Sequence, residues 1–308
     1  ISANKTILDG GNSKRVIYQN DDFTSETITI FDGFVIQNGN INENGAGVYM
    51  RDYSMLRNCI VRNNTGNRGS AIYTYGYANI INCLITGNNS NYNTSSTSSV
   101  YLLDSTLFVN NTVVNNTSVA GTGGVYVDNS KVRIYNSILW GNKKGEEINN
   151  IEGQVPDMRF TAVEGGYAGI GNIPLASENT GNAGYYPCFN DIENDDYSLT
   201  ANSICINKGS SALMSLPSID LANDERIKQG TIDMGAYESD HTPVINIVPG
   251  NNNVIYVATN ASGKKDGSSW SDATSDIHLA LNLANTFNPP ADVWVKAGTY
   301  YGLLYTEN

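Results

Sequence analysis

The chain has 308 residues and carries 18 Lys and Arg against 30 Asp and Glu, which gives a formal net charge of −12. Because such a surface repels phosphate groups, the charge argues against a nucleic-acid partner and against binding to an anionic membrane. Hydrophobic residues make up 40% of the chain, which is enough to build a core, and Asn alone occurs 43 times.

No stretch reaches the roughly 18 consecutive apolar residues of a membrane span, so we predict no span in this chain. The sequence starts at Ile1 without a charged and apolar leader, which is typical of a processed secreted protein or of a piece of a longer one.

The four cysteines are Cys59, Cys83, Cys188 and Cys205. They form no Cys-x-x-Cys pair and the chain holds 2 His, so we predict no metal site and no cofactor. We interpret the cysteines as buried small residues. A Cys188–Cys205 disulfide stays open as an alternative in an oxidising compartment.

One pattern recurs between about residue 33 and residue 142. Each copy opens with an apolar residue followed by Tyr, at Val48-Tyr49, Ile72-Tyr73, Val100-Tyr101 and Val125-Tyr126, with spacings of 24, 28 and 25 residues. Each copy closes with Asn and a short apolar run. The period is shorter than that of paired-helix repeats or propeller blades, and the apolar residues alternate as they do in strands.

This period predicts an all-β chain folded as a parallel β-helix, a solenoid of about 25 residues per coil with three short strands and three turns in each coil. Neighbouring coils then stack about 4.8 Å apart, so equivalent residues form columns along the solenoid.

Two of these columns consist of Asn. Because Asn tolerates a left-handed backbone and its amide both donates and accepts, we interpret one column as a structural Asn ladder at a bend. Its members are Asn58, Asn82, Asn111 and Asn136. A second turn column contains Asn64, Asn88, Asn116 and Asn142. The insertions at 89–99 and 115–122 are predicted to be loops that leave the solenoid at one corner.

A third column consists of tyrosines that alternate with inward apolar residues and should therefore point outward. Its members, Tyr49, Tyr73, Tyr101 and Tyr126, are the candidate ligand-binding residues, because exposed aromatic rings bind sugars or partner proteins. The alternative is that the rings stack on one another, stabilise their own sheet and are covered by a loop.

The repeats resemble those of a known superfamily. The openings "GSAIY" and "GGVY" and the closings "LITGN" and "ILWGN" are similar to repeats of the pectate-lyase-like right-handed β-helix superfamily, which includes bacterial surface proteins and adhesins. The resemblance implies a right-handed solenoid, and it assigns residues 1–182 to the coils.

A second resemblance covers residues 183–240. The block resembles the C-terminal part of bacterial surface proteins described as choice-of-anchor Q proteins, which implies an exported protein. The matching residues are Pro187, Phe189, Tyr197, Asn207, Gly209, Asp220, Arg226, Gly230, Asp233, Gly235, Ala236, Tyr237 and Glu238.

The remaining residues divide into a linker and a second module. Residues 241–253 lack periodicity and are predicted to be a linker. Residues 254–308 look like the start of another β-helix module, with a short capping helix in which Ile277, Leu281 and Ala284 share one face and Ser275 is the N-cap. A β-helix start that follows an ending suggests tandem modules in a longer protein.

Catalytic patterns are weak, and whether the chain is an enzyme stays open. Asp21-Asp22 and Arg226-Ile227-Lys228 match fragments of polygalacturonase-like hydrolases, but no Gly-His-Gly follows. A lyase needs carboxylates at matching positions of neighbouring coils. Asp52, Asp104 and Asp128 share only a rough position, and we interpret them as turn residues. No catalytic residue is predicted.

These observations favour a non-catalytic extracellular module of a bacterial cell-surface or secreted protein, adhesin-like, that binds polysaccharide or another surface protein. Two alternatives stay open. One is a polysaccharide lyase or glycoside hydrolase of the same superfamily, and the other is a structural subunit of a larger envelope assembly.

Overall fold

The computed structural model describes residues 5–20, 27–175, 187–201, 203–213, 217–241, 247–264, 266–274, 277–284 and 287–298. The chain divides into two compact units. The first contains Ile1–Asn179 and Tyr185–Thr242, and the second contains Thr180–Gly184 and Pro243–Asn308.

The first unit is a parallel β-solenoid of about 6 turns with about 26 residues per turn. The predicted all-β parallel coil is therefore confirmed.

The strands of the solenoid follow one another in chain order as short segments of two to seven residues. The first coils contain β1 (Thr6–Asp9), β2 (Ile17–Tyr18), β3 (Thr29–Asp32), β4 (Phe34–Gln37), β5 (Val48–Met50), β6 (Ser54–Arg57), β7 (Ile60–Arg62) and β8 (Thr65–Gly66). The middle coils contain β9 (Arg68–Thr74), β10 (Ala78–Ile81), β11 (Leu84–Thr86), β12 (Asn89–Ser90), β13 (Ser98–Leu102), β14 (Leu107–Val109), β15 (Thr112–Val114) and β16 (Thr117–Ser118). The last coils contain β17 (Thr122–Val127), β18 (Arg133–Tyr135), β19 (Ile138–Trp140), β20 (Lys143–Lys144), β21 (Glu147–Ile148), β22 (Ile151–Gly153), β23 (Asp157–Arg159), β24 (Ala162–Glu164) and β25 (Ile173–Leu175).

These strands form four sheets along the solenoid. Sheet I has the order β2-β5-β9-β13-β17-β22, sheet II β23-β18-β14-β10-β6-β3, sheet III β1-β4-β7-β11-β15-β19-β24-β25, and sheet IV β21-β20-β16-β12-β8. All pairs are parallel except β20 with β21. Complete coils thus have four strands, and the prediction of three was wrong. Strands of sheet IV are two residues long, so they show no alternation that a sequence pattern reveals.

Sheet IV also changes the interpretation of the insertions. Asn89–Ser90 and Thr117–Ser118, predicted to lie in loops, are strands of this sheet. Residues 91–97 and 119–121 connect sheet IV to sheet I.

Inward side chains from three sheets build one apolar core that runs along the axis. Val48, Ile72, Val100 and Val125 of sheet I are fully buried and pair with one another in register. Val61, Ile85, Val113, Leu139 and Val163 of sheet III belong to the same cluster. The stacking of identical positions therefore produces the core directly from the repeat.

Left-handed residues mark the corner between sheets II and III. The column is Gly33, Asn58, Asn82, Asn110, Asn136 and Phe160, and each has φ between 49° and 81°. The register pairs Leu84 with Thr112, so Asn110 and not Asn111 is equivalent to Asn82. Asn111 lies one position further on, fully buried, and its Nδ2 donates to the Ile80 carbonyl at 2.9 Å. The predicted ladder member Asn111 is therefore wrong by one position, because Asn110 and Asn111 form a doublet at this corner.

The second Asn column is a continuous buried ladder. Asn64, Asn88 and Asn116 each donate from the backbone N and from Nδ2 to the Oδ1 of the Asn on the next coil, at 2.9–3.1 Å. Asn142 makes the same contacts to Asn150. Each Nδ2 also donates to a carbonyl of the preceding coil, as from Asn88 to Val61. Every amide in the column is therefore paired although no water reaches it.

The described residues between 187 and 241 form an outer layer on sheet III. They include the antiparallel pair β26 (Phe189–Asp191) and β27 (Asp196–Leu199). The Ala236 amide donates to Thr112 Oγ1 at 2.9 Å, and the Tyr197 hydroxyl lies 3.0 Å from Thr86 Oγ1. Both faces of the central strands β11, β15 and β19 of sheet III are consequently buried, which explains their continuous apolar runs.

A buried ionic cluster holds the outer layer together. Arg226 is 0% exposed and donates from Nη2 to the carbonyls of Asp233 and Gly235. Its Nε lies 3.8 Å from Glu238 Oε2. Asp220 accepts from the Glu238 amide at 2.7 Å. Burial is the main cause that raises the pKa of Glu238, to about 8, and the Asp233 carboxylate adds to the rise.

The second unit has its own small core. It contains the parallel strands β28 (Val254–Val257) and β29 (Asp292–Val295) and the helix α1 (Ile277–Ala284). Ala280 and Ala284 are buried against the strands, whereas Leu281 is 50% exposed, so the predicted helix face was wrong at Leu281. Ser275 lies outside the described residues. Ile247, from the predicted linker, is part of this core.

All four cysteines are free thiols. The Cys188–Cys205 disulfide that the sequence left open is not formed in this structure.

Replacement of one ladder amide tests the buried column. Asn116→Ala removes the Oδ1 that accepts from the backbone N and Nδ2 of Asn88, and it removes one of the two donors to Asn142 Oδ1. We therefore expect the free energy of unfolding to fall by about 3 kcal/mol. Urea unfolding measures the change. Asn89→Ala, an exposed Asn on the neighbouring coil, is the control and should cost less than about 0.5 kcal/mol. Equal losses in the two variants would contradict the ladder's role.

The ionic cluster predicts a pH dependence of stability. Folded Glu238 keeps its proton up to about pH 8, whereas an unfolded Glu releases it near pH 4.5. The folded state therefore binds more protons between these values, and the free energy of unfolding falls as the pH rises through this window. In urea titrations, the free energy of unfolding should decline by on the order of 2–4 kcal/mol from pH 5 to pH 8. In Glu238→Gln this decline should largely disappear. Glu147→Gln, at an exposed position, should keep it, and an unchanged slope in Glu238→Gln would refute the assignment.

Candidate functional site

The predicted tyrosines lie on the outer face of sheet I as one column. The register pairs Tyr18 with Tyr49, and then Tyr49, Tyr73, Tyr101 and Tyr126 in succession. Neighbouring ring centroids are 5.0–5.2 Å apart. The structure therefore brings all four candidate residues together and adds a fifth, Tyr18. The signal for Tyr18 was present, because Ile17-Tyr18 repeats the apolar-Tyr pair in the preceding coil.

The orientation of the rings decides what the tyrosine column offers to a ligand. From Tyr49 to Tyr126 the planes of adjacent rings differ by only 12–17°, so ring faces pack against ring faces. Solvent is left with ring edges and hydroxyl groups. Tyr18 is tilted by 45° from Tyr49 and is 57% exposed, whereas Tyr101 is only 3% exposed. A sugar face can therefore stack on the end of the column and not along its length.

Two arginine side chains contact rings of the tyrosine column. The Arg15 guanidinium lies 4.5 Å from the Tyr18 ring centroid and 5.4 Å from that of Tyr49. Arg68 lies 5.6 Å from the ring centroid of Tyr101. Burial raises the pKa of Tyr73, and burial together with the Asp128 carboxylate raises that of Tyr101. These phenols stay protonated at neutral pH and act as hydrogen-bond donors.

A cavity of about 350 Å³ opens at the Tyr18 end of the column. We call it the end cavity, and its lining residues are Arg15, Tyr18, Glu43, Asn44 and Tyr49. Arg15 donates from Nη2 to Glu43 Oε2 at 2.9 Å and to the Asn44 carbonyl at 3.0 Å, and from Nε to the Gly45 carbonyl at 3.1 Å. The arginine thus holds the 43–45 turn beside two aromatic rings. Sequence reasoning missed Arg15, Glu43 and Asn44, because two neighbouring coils supply them and no repeat marks them.

The corner Asn side chains attach the outer layer instead of forming a continuous ladder. Asn82 Nδ2 donates to Asn58 Oδ1 at 3.2 Å and to the Ile219 carbonyl at 2.7 Å. Asn136 exchanges two hydrogen bonds with the backbone of Ser210. Asn82 and Asn136 therefore anchor the outer layer, whereas Asn58 Nδ2 donates to Asp32 Oδ1 at 2.8 Å.

The carboxylates considered for catalysis hold turns. Asp52 accepts from the Tyr77 amide at 2.9 Å, and Asp104 accepts from the Gly76 amide at 3.0 Å. Arg226 is inaccessible in the ionic cluster of the outer layer. Asp21 and Asp22 lie outside the described residues. Within the described ranges, no group of three or more His, Cys, Asp and Glu side chains is placed to hold a metal ion.

A second cavity, of about 480 Å³, lies between sheet III and the outer layer. Its lining residues are Asn115, Trp140, Phe189, Asn190, Asp191, Ile192 and Glu193. Phe189 meets Trp140 edge-on at 6.1 Å. Asp191 accepts from Asn194 Nδ2 at 2.7 Å, so this carboxylate stabilises the adjacent 3-10 turn Ile192–Asn194.

Comparisons with protein-family models, curated proteins and solved structures give no match for this chain. In the part of the chain that the structure covers, no helix has the length and apolar character of a membrane span.

Proposed function

We propose that the chain is a non-catalytic extracellular module of a bacterial cell-surface or secreted protein, adhesin-like, which binds a polysaccharide through the end cavity. The cavity supports this function best because it combines an exposed ring, a carboxylate and an amide at one place. Ligand pockets of this kind use apolar rings for contact area and a few fixed polar groups for orientation.

The internal hydrogen bonds of Arg15 carry the proposal. They fix Glu43 and the 43–45 turn next to Tyr18 and Tyr49 before any ligand arrives. A prearranged site loses little conformational entropy on binding. The repeats resemble those of pectate-lyase-like proteins and residues 183–240 resemble choice-of-anchor Q surface proteins, and both resemblances agree with an exported glycan-binding role.

The regular outer surface of the solenoid supports the same function. A solenoid presents a long regular surface, and Tyr18 and Tyr49 of sheet I line the cavity. Another surface protein is the alternative ligand, and polysaccharide cleavage is the alternative activity.

Removal of one ring at the end cavity tests the proposal. The purified chain is screened for retention on acidic and neutral polysaccharides, and Tyr49→Ala is compared with the unchanged chain. We expect at least tenfold weaker retention, because the lost ring lines the cavity and supports Tyr18. Glu43→Gln tests the polar side of the same cavity.

Tyr77→Ala is the matched control, since Tyr77 is 57% exposed and stacks on Tyr53 outside the tyrosine column. Equal loss in Tyr77→Ala, or no retention on any glycan, would refute binding at the end cavity. Unsaturated product or new reducing ends, measured with and without Ca²⁺, would replace the binding proposal with a lyase or hydrolase.

A further inference from the structure

Two cysteines occupy the same inward position on neighbouring coils. Cys59 follows the left-handed Asn58, and Cys83 follows the left-handed Asn82. The register pairs the next residues, Ile60 with Leu84, so the two cysteines are direct neighbours across adjacent strands. Both side chains are fully buried.

Later coils place an oxygen-bearing side chain at this position. The Cys83 amide donates to Asn111 Oδ1 at 2.8 Å, and the Asn111 amide donates to Ser137 Oγ at 3.2 Å. The Phe34 amide instead meets Cys59 Sγ at 3.4 Å. Sulfur is a weak acceptor, so two adjacent thiols are an unusual choice for a hydrogen-bonding column.

The two thiols lie opposite each other on adjacent strands, and each donates to a backbone carbonyl, Cys59 to that of Arg57 at 3.1 Å and Cys83 to that of Ile81 at 3.3 Å. Their surroundings differ. The contact with Cys83 and the Phe34 and Gly33 amides lower the pKa of Cys59. Burial raises the pKa of Cys83. Lys5 lies beside this pair and donates from Nζ to the Asn58 carbonyl at 2.7 Å. A cation and backbone amides favour a thiolate at Cys59.

The position of Cys59 near one end of the solenoid gives a route for a reagent. Among the described strands, β1, β2 and β3 lie at the edges of their sheets and pair on one side only. Edge strands open at a lower free energy than the central coils. Cys59 lies under Phe34 of β4 and one coil nearer this end than Cys83, so transient opening that includes β4 uncovers Cys59 before Cys83.

We propose that Cys59 and Cys83 are a dithiol that hydroperoxides oxidise to a disulfide between neighbouring coils. Adjacent strands lie about 4.8 Å apart, which falls inside the roughly 4.4–6.8 Å range of Cα separations in disulfides.

The reaction has two balanced steps. The Cys59 thiolate attacks one oxygen of hydrogen peroxide, the O–O bond breaks, and a sulfenic acid and hydroxide form; the proton that the Cys59 thiol released converts the hydroxide to water. The Cys83 sulfur then attacks the sulfenic sulfur, the S–O bond breaks, and a second water leaves as the S–S bond forms. Two thiols and one peroxide thus give one disulfide and two waters.

Peptide mapping after peroxide treatment of the folded chain tests the proposal. Trypsin cuts after Arg57, Arg62, Arg68 and Lys131, so Cys59 and Cys83 fall in the separate peptides 58–62 and 69–131. Cys188 and Cys205 fall together in peptide 160–208, so their pairing gives no cross-linked product. We expect peptides 58–62 and 69–131 to appear covalently joined, with the loss of two hydrogens and with release by a reductant.

Two variants assign the roles of the thiols. Cys83→Ser places a hydroxyl where Ser137 stands two coils further along, and it should stop oxidation at a Cys59 sulfenic acid that dimedone traps. Cys205→Ser should leave the cross-link unchanged. The proposal would be overturned if, after peroxide treatment and unfolding of the unchanged chain, Cys59 and Cys83 both still react with a thiol reagent. Over-oxidised Cys59 without the joined peptides would overturn it equally, whether or not Cys83→Ser folds.

Discussion

Polar side chains inside a stacked coil need partners, and the buried Asn column meets this need at one corner of successive coils, from Asn64 to Asn142. Each amide from Asn64 to Asn142 bonds to the next coil and to the preceding one, so a shift of one coil breaks bonds on both sides. An unpaired buried amide costs about 1–3 kcal/mol, and this cost selects one register over its neighbours. Backbone pairing alone permits slippage, because neighbouring strands are short and alike.

The fixed register determines what the surface presents. Because coils cannot slip, Tyr49, Tyr73, Tyr101 and Tyr126 are held at the strand spacing, and their rings stack face to face. Because stacking covers the ring faces, a ligand can reach a ring face at the exposed end of the column, where Tyr18 lies beside Arg15 and the 43–45 turn. The same register places Cys59 next to Cys83. Structural repetition therefore brings together the residues of both proposed sites, and local departures from the repeat make them distinctive.

Much of the coil was predictable from the sequence, since the period near 25 residues and the alternation at Val125 and Val127 indicate stacked parallel strands. The sequence pattern did not predict the structure where it fitted two alignments or where a strand was too short to show a period. The Asn110-Asn111 doublet offered two corner residues, and only pairing with Leu84 distinguishes them. Two-residue strands such as Thr117–Ser118 carry no period. The end cavity depends on contacts between Arg15 and a turn 28 residues away, which no repeat encodes.

Amide hydrogen exchange of the folded chain, followed by NMR, tests the central role of the buried ladder most directly. The backbone amides of Asn88 and Asn116 donate to side-chain Oδ1 atoms of the ladder. The backbone amide of Ile17, in the edge strand β2, donates to the Gly47 carbonyl. The account predicts that Asn88 and Asn116 exchange only through global unfolding, with the free energy that urea unfolding gives, and that Ile17 exchanges through a smaller opening. Exchange of the ladder amides as fast as that of Ile17 would contradict it.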